Sequence, residues 1–296
     1  MNISQHTNTI ISQSDDEFVQ HIRIVLKKYK EFFSKNSNVY PWKFTPTEVF
    51  NEIMEKEGIL AASITPFSLY KVNQIYHDDI ENDIRALQYI YIFRANALLE
   101  SCINLVNKKD YLSAAIIARS LVELCSVALH HAASIDANYK KLVEELPDQG
   151  LTKNLVELSY VREILERGIW GTRLPDIVDQ NKDIKQFNVI PLLQKIADKE
   201  KVEYLQPMYD FLCEATHPNL KGNYQFIHTP EEMNLTNPTH IIIGKNQTGD
   251  ASSELLERTL GAISWSAKAV IGMDEHFQKA LVTKEGMFKQ NKDTVH

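Results

Sequence analysis

Residues 111–131 read YLSAAIIARSLVELCSVALHH, and this stretch decides the fold class. It contains no Gly or Pro, and its Leu, Ile, Val and Ala residues are dense enough to leave only a narrow polar stripe on a helix. Such a helix must be covered over most of its circumference. It is therefore expected at the centre of a helical bundle.

Working outward, apolar residues recur at three- and four-residue steps on both sides of the central stretch. Asp15 to Lys35 spaces Phe18, Ile22, Val25, Leu26, Tyr29 and Phe33 as one helical face. Thr45-Pro46 has the form of a cap followed by a first-turn proline and predicts a helix to about Lys56, stopped by Gly58. Phe67 to Lys108 has no Pro or Gly and reads as one long helix or two abutting ones, with Lys108-Lys109-Asp110 as the polar break before Tyr111. Beyond the central helix, 138–145 continues it or forms a separate piece. Leu151 to Arg167, Pro191 to Lys199 and Val202 to Thr216 are helical, and Gly168 to Asn188 reads as a loop. Ser252 to about Leu281 closes the series with near-heptad apolar spacing, and the residues from Lys284 read as a frayed polar tail. Only 224–228 and 239–243 have strand character. The expectation is an all-α helical bundle with one small β-hairpin near 224–243. Residues 1–66 form an N-terminal helical extension, 67–283 the bundle and 284–296 the tail.

With 296 residues, 44% hydrophobic and 24% charged, the chain is long enough to bury a substantial core. A formal charge of −7 argues against a broad basic footprint for nucleic acid, although a local patch is compatible with it. The three cysteines, Cys102, Cys125 and Cys213, are scattered through helical patterns, which fits reduced thiols better than a disulfide framework. Residues 1–15 have neither a basic nor an apolar leader region, and Arg94, Glu100, Arg119 and Glu123 interrupt the most apolar runs. A cytoplasmic protein without a membrane span is expected.

Two polar groupings could carry chemistry. Arg119, Glu123, Ser126 and His130 follow i, i+4, i+7, i+11 spacing and fall within roughly 60° of one another at about 100° per residue. They form either a thin solvated face or the lining of an interior cleft, where charges must be paired, and Arg119 and Glu123 are expected as a buried pair facing the helix that carries His217. The second grouping is Tyr209 to Asn219, in which Asp210, Glu214 and His217 share a helix face. His217 either gains basicity from the carboxylate one turn away or serves the helix end before Pro218. Glu214-x-x-His217 matches half of a di-iron motif, but no second copy exists, so no metal is expected. The chain has no Gly-x-Ser-x-Gly elbow, P-loop or Gly-x-Gly-x-x-Gly turn, and no cofactor is expected.

Ala-Ala-Ile-Ile-Ala-Arg-Ser-Leu-Val-Glu at 114–123 resembles the Ala-Arg-x-x-x-Glu helix of a widespread bacterial helical family of unknown function. Tyr-Asp-Phe-Leu-Cys-Glu-Ala-Thr-His-Pro-Asn at 209–219 resembles its Tyr-x-x-Leu-x-x-x-x-His-Pro helix ending. That family is similar in layout to the HEPN superfamily, many of whose members are RNases in toxin and phage-defence systems. The resemblance covers about 87–223. It implies a protein acting on or binding RNA in bacterial defence or stress, or a non-catalytic regulatory module working through a partner protein, with a homo-oligomer compatible with either. On the RNase reading, His217 is the general acid–base, Arg119 stabilises the phosphorane charge and Glu123 orients Arg119. His130, Tyr209, Glu214 and Asn219 complete the candidate pocket. Active HEPN nucleases carry an Arg followed four to six residues later by His, and no Arg in this chain is so followed.

Overall fold

The computed structural model describes residues 17–36, 39–43, 45, 52, 55–56, 65–146, 150–172, 174–180, 188–217, 223, 226–228, 242–243 and 250–292. Among them the architecture is all-α. Its helices are α1 (Glu17–Asn36), α2 (Pro66–Asn107), α3 (Tyr111–Glu145), α4 (Gly150–Lys153), α5 (Ser159–Trp170), α6 (Pro175–Gln180), α7 (Val189–Glu200), α8 (Leu205–Thr216) and α9 (Asp250–Lys292). They form two compact units: Met1–Ser37 with Ile92–Val127 and Asn188–Ile271, and Asn38–Tyr91 with Ala128–Phe187 and Gly272–His296. Each of α2, α3 and α9 contributes a stretch to both units.

In the first unit, α1 buries Ile22, Val25, Leu26 and Tyr29, the face its spacing marks out. The turn between α2 and α3 is built on Lys109, whose φ of 59° is left-handed. The Lys109 N–H reaches the Val106 carbonyl at 3.0 Å and the Asp110 N–H reaches Leu105 at 3.0 Å, which is a Schellman closure with lysine where glycine is usual. Lys201, φ 56°, ends α7 in the same conformation, and the Asn188 side chain caps that helix by accepting from the Ile190 N–H at 3.3 Å. α8 buries Leu205, Met208, Tyr209, Leu212 and Ala215 and packs against α7.

In the second unit, α2 begins on a reciprocal cap. Ser68 N–H donates to Thr65 Oγ1 at 3.1 Å and Thr65 N–H to Ser68 Oγ at 2.9 Å, with Pro66 in the first turn. The buried Asn73 then ties α2 to the segment after α3. Its amide donates to the Leu151 and Asn154 carbonyls at 2.8 and 2.9 Å and its oxygen accepts from the Val156 N–H at 2.7 Å. The Tyr76 hydroxyl accepts from Leu158 N–H at 3.0 Å, and Arg162 pairs with Asp79 at 2.8 Å. Two fully buried histidines sit here. His131 Nδ1 shares a 2.7 Å hydrogen bond with the Tyr91 hydroxyl, and His77 Nδ1 lies 3.5 Å from that of Tyr139.

Two boundaries that the sequence reading left open are decided, and others differ from it. α2 is one helix, and α3 runs on through 138–145 to Glu145. The stretch 151–167 is split between α4 and α5, because 154–158 is spent on the Asn73 and Tyr76 hydrogen bonds. The expected loop at 168–188 contains α6. α9 does not fray after Leu281 but continues to Lys292, with Lys284, Met287 and Phe288 buried. There the Lys284 ammonium pairs with Asp78 and with Glu81, the latter at 2.8 Å. The hairpin expected near 224–243 is not supported as an element of the fold. Among the described residues of this segment, Ile227–His228 pairs antiparallel with Ile242–Ile243, two residues each, and most of the segment lies outside the described residues. Most of the helix expected at 46–56 also lies outside them. Among the described residues α3 is long and apolar enough to cross a membrane by length and composition, and its Leu121, Val122, Ala128, Ala132 and Ile135 are buried within the protein.

Two helical glycines are expected to respond oppositely to alanine. A Cβ at Gly168 meets both methyls of the fully buried Leu87 at 2.8 Å and the Tyr91 hydroxyl at 3.2 Å. The overpacking, about 1 to 3 kcal/mol, outweighs the helix-propensity gain of about 0.5 to 1 kcal/mol. At Gly286 a Cβ meets nothing within 4 Å. Gly286→Ala should therefore stabilise by about 0.5 to 1 kcal/mol and Gly168→Ala should destabilise by about 1 to 2 kcal/mol. Chemical denaturation of the two variants checks both signs.

Candidate functional site

The candidate site lies in the first unit and is made by α3 and α8. On α3, positions 114, 115, 118, 121, 122 and 125 are buried, which leaves Arg119 and Glu123 adjacent on the remaining stripe. Their ion pair, Nε to Oε1, spans 3.2 Å, with the side chains 30% and 33% exposed. The pair expected to be buried is thus only half-buried, because the stripe stays open to solvent on one side while it faces α8 on the other. Ser126 does not share that exposure. It is completely buried, and its hydroxyl donates back to the Val122 carbonyl at 2.7 Å.

α8 meets this stripe along its length. The Tyr209 ring is buried, and its hydroxyl donates to Glu123 Oε1 at 2.8 Å. One end of the guanidinium, Nη1, lies 3.4 Å from the Thr216 hydroxyl, the last residue of α8, and that hydroxyl in turn donates to the Cys213 carbonyl at 3.1 Å. The two motif segments, separated by 86 residues at Glu123 and Tyr209, therefore converge in one network. Thr216 and the half-exposed Cys213 belong to it although the sequence reading did not single them out. Their only signal was position: Cys213 lies one turn after Tyr209 and next to Glu214, and Thr216 lies next to His217.

The electrostatics follow from this geometry. Burial works against the Arg119 charge, but the contacts with Tyr209, Cys213 and Glu123 outweigh it and hold the guanidinium above its ordinary value. Burial, then the hydrogen bonds with Glu123 and Cys213, push the Tyr209 phenol well above the usual tyrosine range, so it stays protonated and donates.

The remaining candidates are placed as follows. His217 follows α8 in extended conformation, and its backbone N–H reaches the Cys213 carbonyl at 3.1 Å. The backbone and Thr216 thus close the helix end, and the exposed His217 ring is not what caps it. Glu214 and Asp210 are exposed, Asp210 accepting from Gln206 at 2.8 Å. His130 belongs to the second unit, its ring centroid 6.1 Å from that of His131. Asn219 lies outside the described residues. Among the described residues no group of three or more His, Cys, Asp or Glu side chains has a metal-holding arrangement.

No family model, curated protein or solved structure matches this chain. The site's chemistry is that of a paired guanidinium, an oriented carboxylate, a buried phenol and, just past the helix end, an exposed imidazole.

The half-buried geometry sets the cost of opening the network. Glu123→Ala removes an i,i+4 pair worth a few tenths of a kcal/mol and a charge-assisted hydrogen bond from Tyr209, for an expected loss of about 1 to 2 kcal/mol. A fully enclosed pair would cost about 3 to 5 kcal/mol. Urea denaturation separates the two ranges.

Proposed function

We propose that this chain is an intracellular HEPN-like helical protein that binds or acts on RNA as part of a bacterial defence or stress system, with the Arg119 network as its RNA contact. The observation that supports this reading most is the convergence of the two motif segments, Tyr209 on Glu123 and Arg119 on Thr216, at a half-buried surface. An arginine fork there suits a phosphodiester oxygen pair, which guanidinium recognises bidentately. In the catalytic form of the reading, Arg119 stabilises charge developing on phosphorus and His217 exchanges the proton, with Glu123 orienting Arg119. Because one arginine dominates the contact and the chain is acidic overall, affinity for RNA should fall only shallowly with salt, with a log–log slope of about −1.

The test is incubation of the purified protein with total RNA and with a labelled single-stranded RNA, beside Arg119→Ala and His217→Ala. Cleavage by the parent that both variants lose supports the enzyme. Binding lost only in Arg119→Ala supports a non-catalytic RNA binder. Neither binding nor cleavage by the parent overturns the RNA reading in favour of a regulatory module that acts through a partner protein.

A further inference from the structure

Arg119 carries five N–H donors, and it contacts the Tyr209 hydroxyl as well as Thr216 and Glu123. Nη1 makes a long 3.4 Å contact to Thr216, and Nε sits 3.2 Å from Glu123 Oε1 at an angle that makes no hydrogen bond, although the atom is buried. The same carboxylate oxygen accepts a 2.8 Å hydrogen bond from Tyr209. An arginine and a glutamate one helical turn apart are otherwise able to align fork to fork. The Tyr209 phenol, on a ring that α8 keeps buried, contacts both side chains.

We propose that Tyr209 is a positioning residue: its hydroxyl holds Glu123 out of bidentate alignment with Arg119 and so keeps the guanidinium fork available to a bidentate oxyanion. The ligand chemistry is a phosphate-type anion, and on the reading above it is the phosphodiester of RNA, on which the identity of the ligand rests. The arrangement reconciles two needs. Glu123 offsets the charge of Arg119 in the absence of a ligand, while its carboxylate does not take up the guanidinium's paired donors. The phenol is suited to the role because it stays protonated and its ring has nowhere to turn, whereas a serine or glutamine at the same place would reorient.

Tyr209→Phe keeps the ring and removes only the hydroxyl. Three measurements then decide: the Arg119 Nε–H resonance by NMR, binding of inorganic pyrophosphate, and binding of labelled single-stranded RNA. In the variant, Glu123 should close onto Arg119, shift the Nε–H resonance downfield and slow its exchange, and weaken both ligands about tenfold, the worth of one good hydrogen bond. Adding Glu123→Gln to Tyr209→Phe should restore the affinity, a rescue that a merely structural tyrosine does not give. An unchanged Nε–H resonance in Tyr209→Phe overturns the proposal whether or not RNA binds. If the resonance shifts and pyrophosphate weakens while the parent binds no RNA, Tyr209 keeps its role and the RNA reading falls. Should Tyr209→Phe not fold, Glu123→Gln alone is expected to tighten pyrophosphate binding, and unchanged affinity there overturns the proposal.

Discussion

Lowering the pH from about 7 to about 5 is expected to cost this protein about 4 kcal/mol of stability, roughly 2 kcal/mol from each of two buried histidines. Burial lowers the His77 pKa to about 4, against a backbone hydrogen bond at Val156 that raises it and with a still smaller lowering from Lys284. Burial lowers that of His131 to about 3, aided by His130 and Arg167. Both folded values lie below the ordinary 6.5. Below that point the unfolded chain binds protons that the folded one refuses, so stability is full above it and falls as the pH drops towards the folded values. The carboxyls of Asp83 and Asp274, held above their usual range by burial, work in the opposite sense where they protonate. Urea titrations at several pH values measure the slope, and replacing both histidines with glutamine should flatten it. A stability that is level across this interval would mean that His77 and His131 protonate without leaving the fold.

Asn73→Ala is expected to be as damaging, on the order of 4 kcal/mol, because one side chain serves three backbone groups. Removing it leaves the Leu151 carbonyl and the Val156 N–H without a partner in surroundings where water does not replace it, at about 1 to 3 kcal/mol for each group. The exposed Asn154 carbonyl regains water and adds little. Asn73→Asp offers no recovery, since it keeps the acceptor for Val156 but turns a carboxylate oxygen towards two carbonyls. A loss under about 1 kcal/mol in a denaturation experiment would mean that 150–158 is held by something other than this amide.

These two cases mark where sequence reasoning stops. The apolar density of 111–131 could only belong to a covered helix, and the absence of Gly and Pro through 67–107 left α2 no reason to break. The ends of α2 and α7 were legible as polar interruptions, but not as left-handed caps, because Lys109 and Lys201 stand where glycine would have announced them. Asn73, His77 and His131 look like surface residues in sequence, since what makes each tolerable is a partner tens of residues away. Lys284 is the extreme instance. A lysine at the start of a polar stretch suggests fraying, yet it is buried against a carboxylate 206 residues earlier. For the candidate site, the i,i+4 spacing was enough to pair Arg119 with Glu123. Their half-exposure, and the hydroxyls of Tyr209 and Thr216 that complete the network, depend on how α8 lies against α3, which no local pattern encodes.

The seated end of α9 bears on how this molecule can be handled. The Phe288 ring lies against those of His77 and Tyr70, and its carbonyl accepts from the Tyr70 hydroxyl at 3.2 Å. A protease that trimmed the chain after Thr283 would therefore not remove a loose appendage. It would strip the aromatic cover from a buried imidazole, take the lysine from Asp78 and leave Glu81 to Arg85 in the same cut. An affinity tag, for the same reason, belongs beyond Lys292, past the last helical turn.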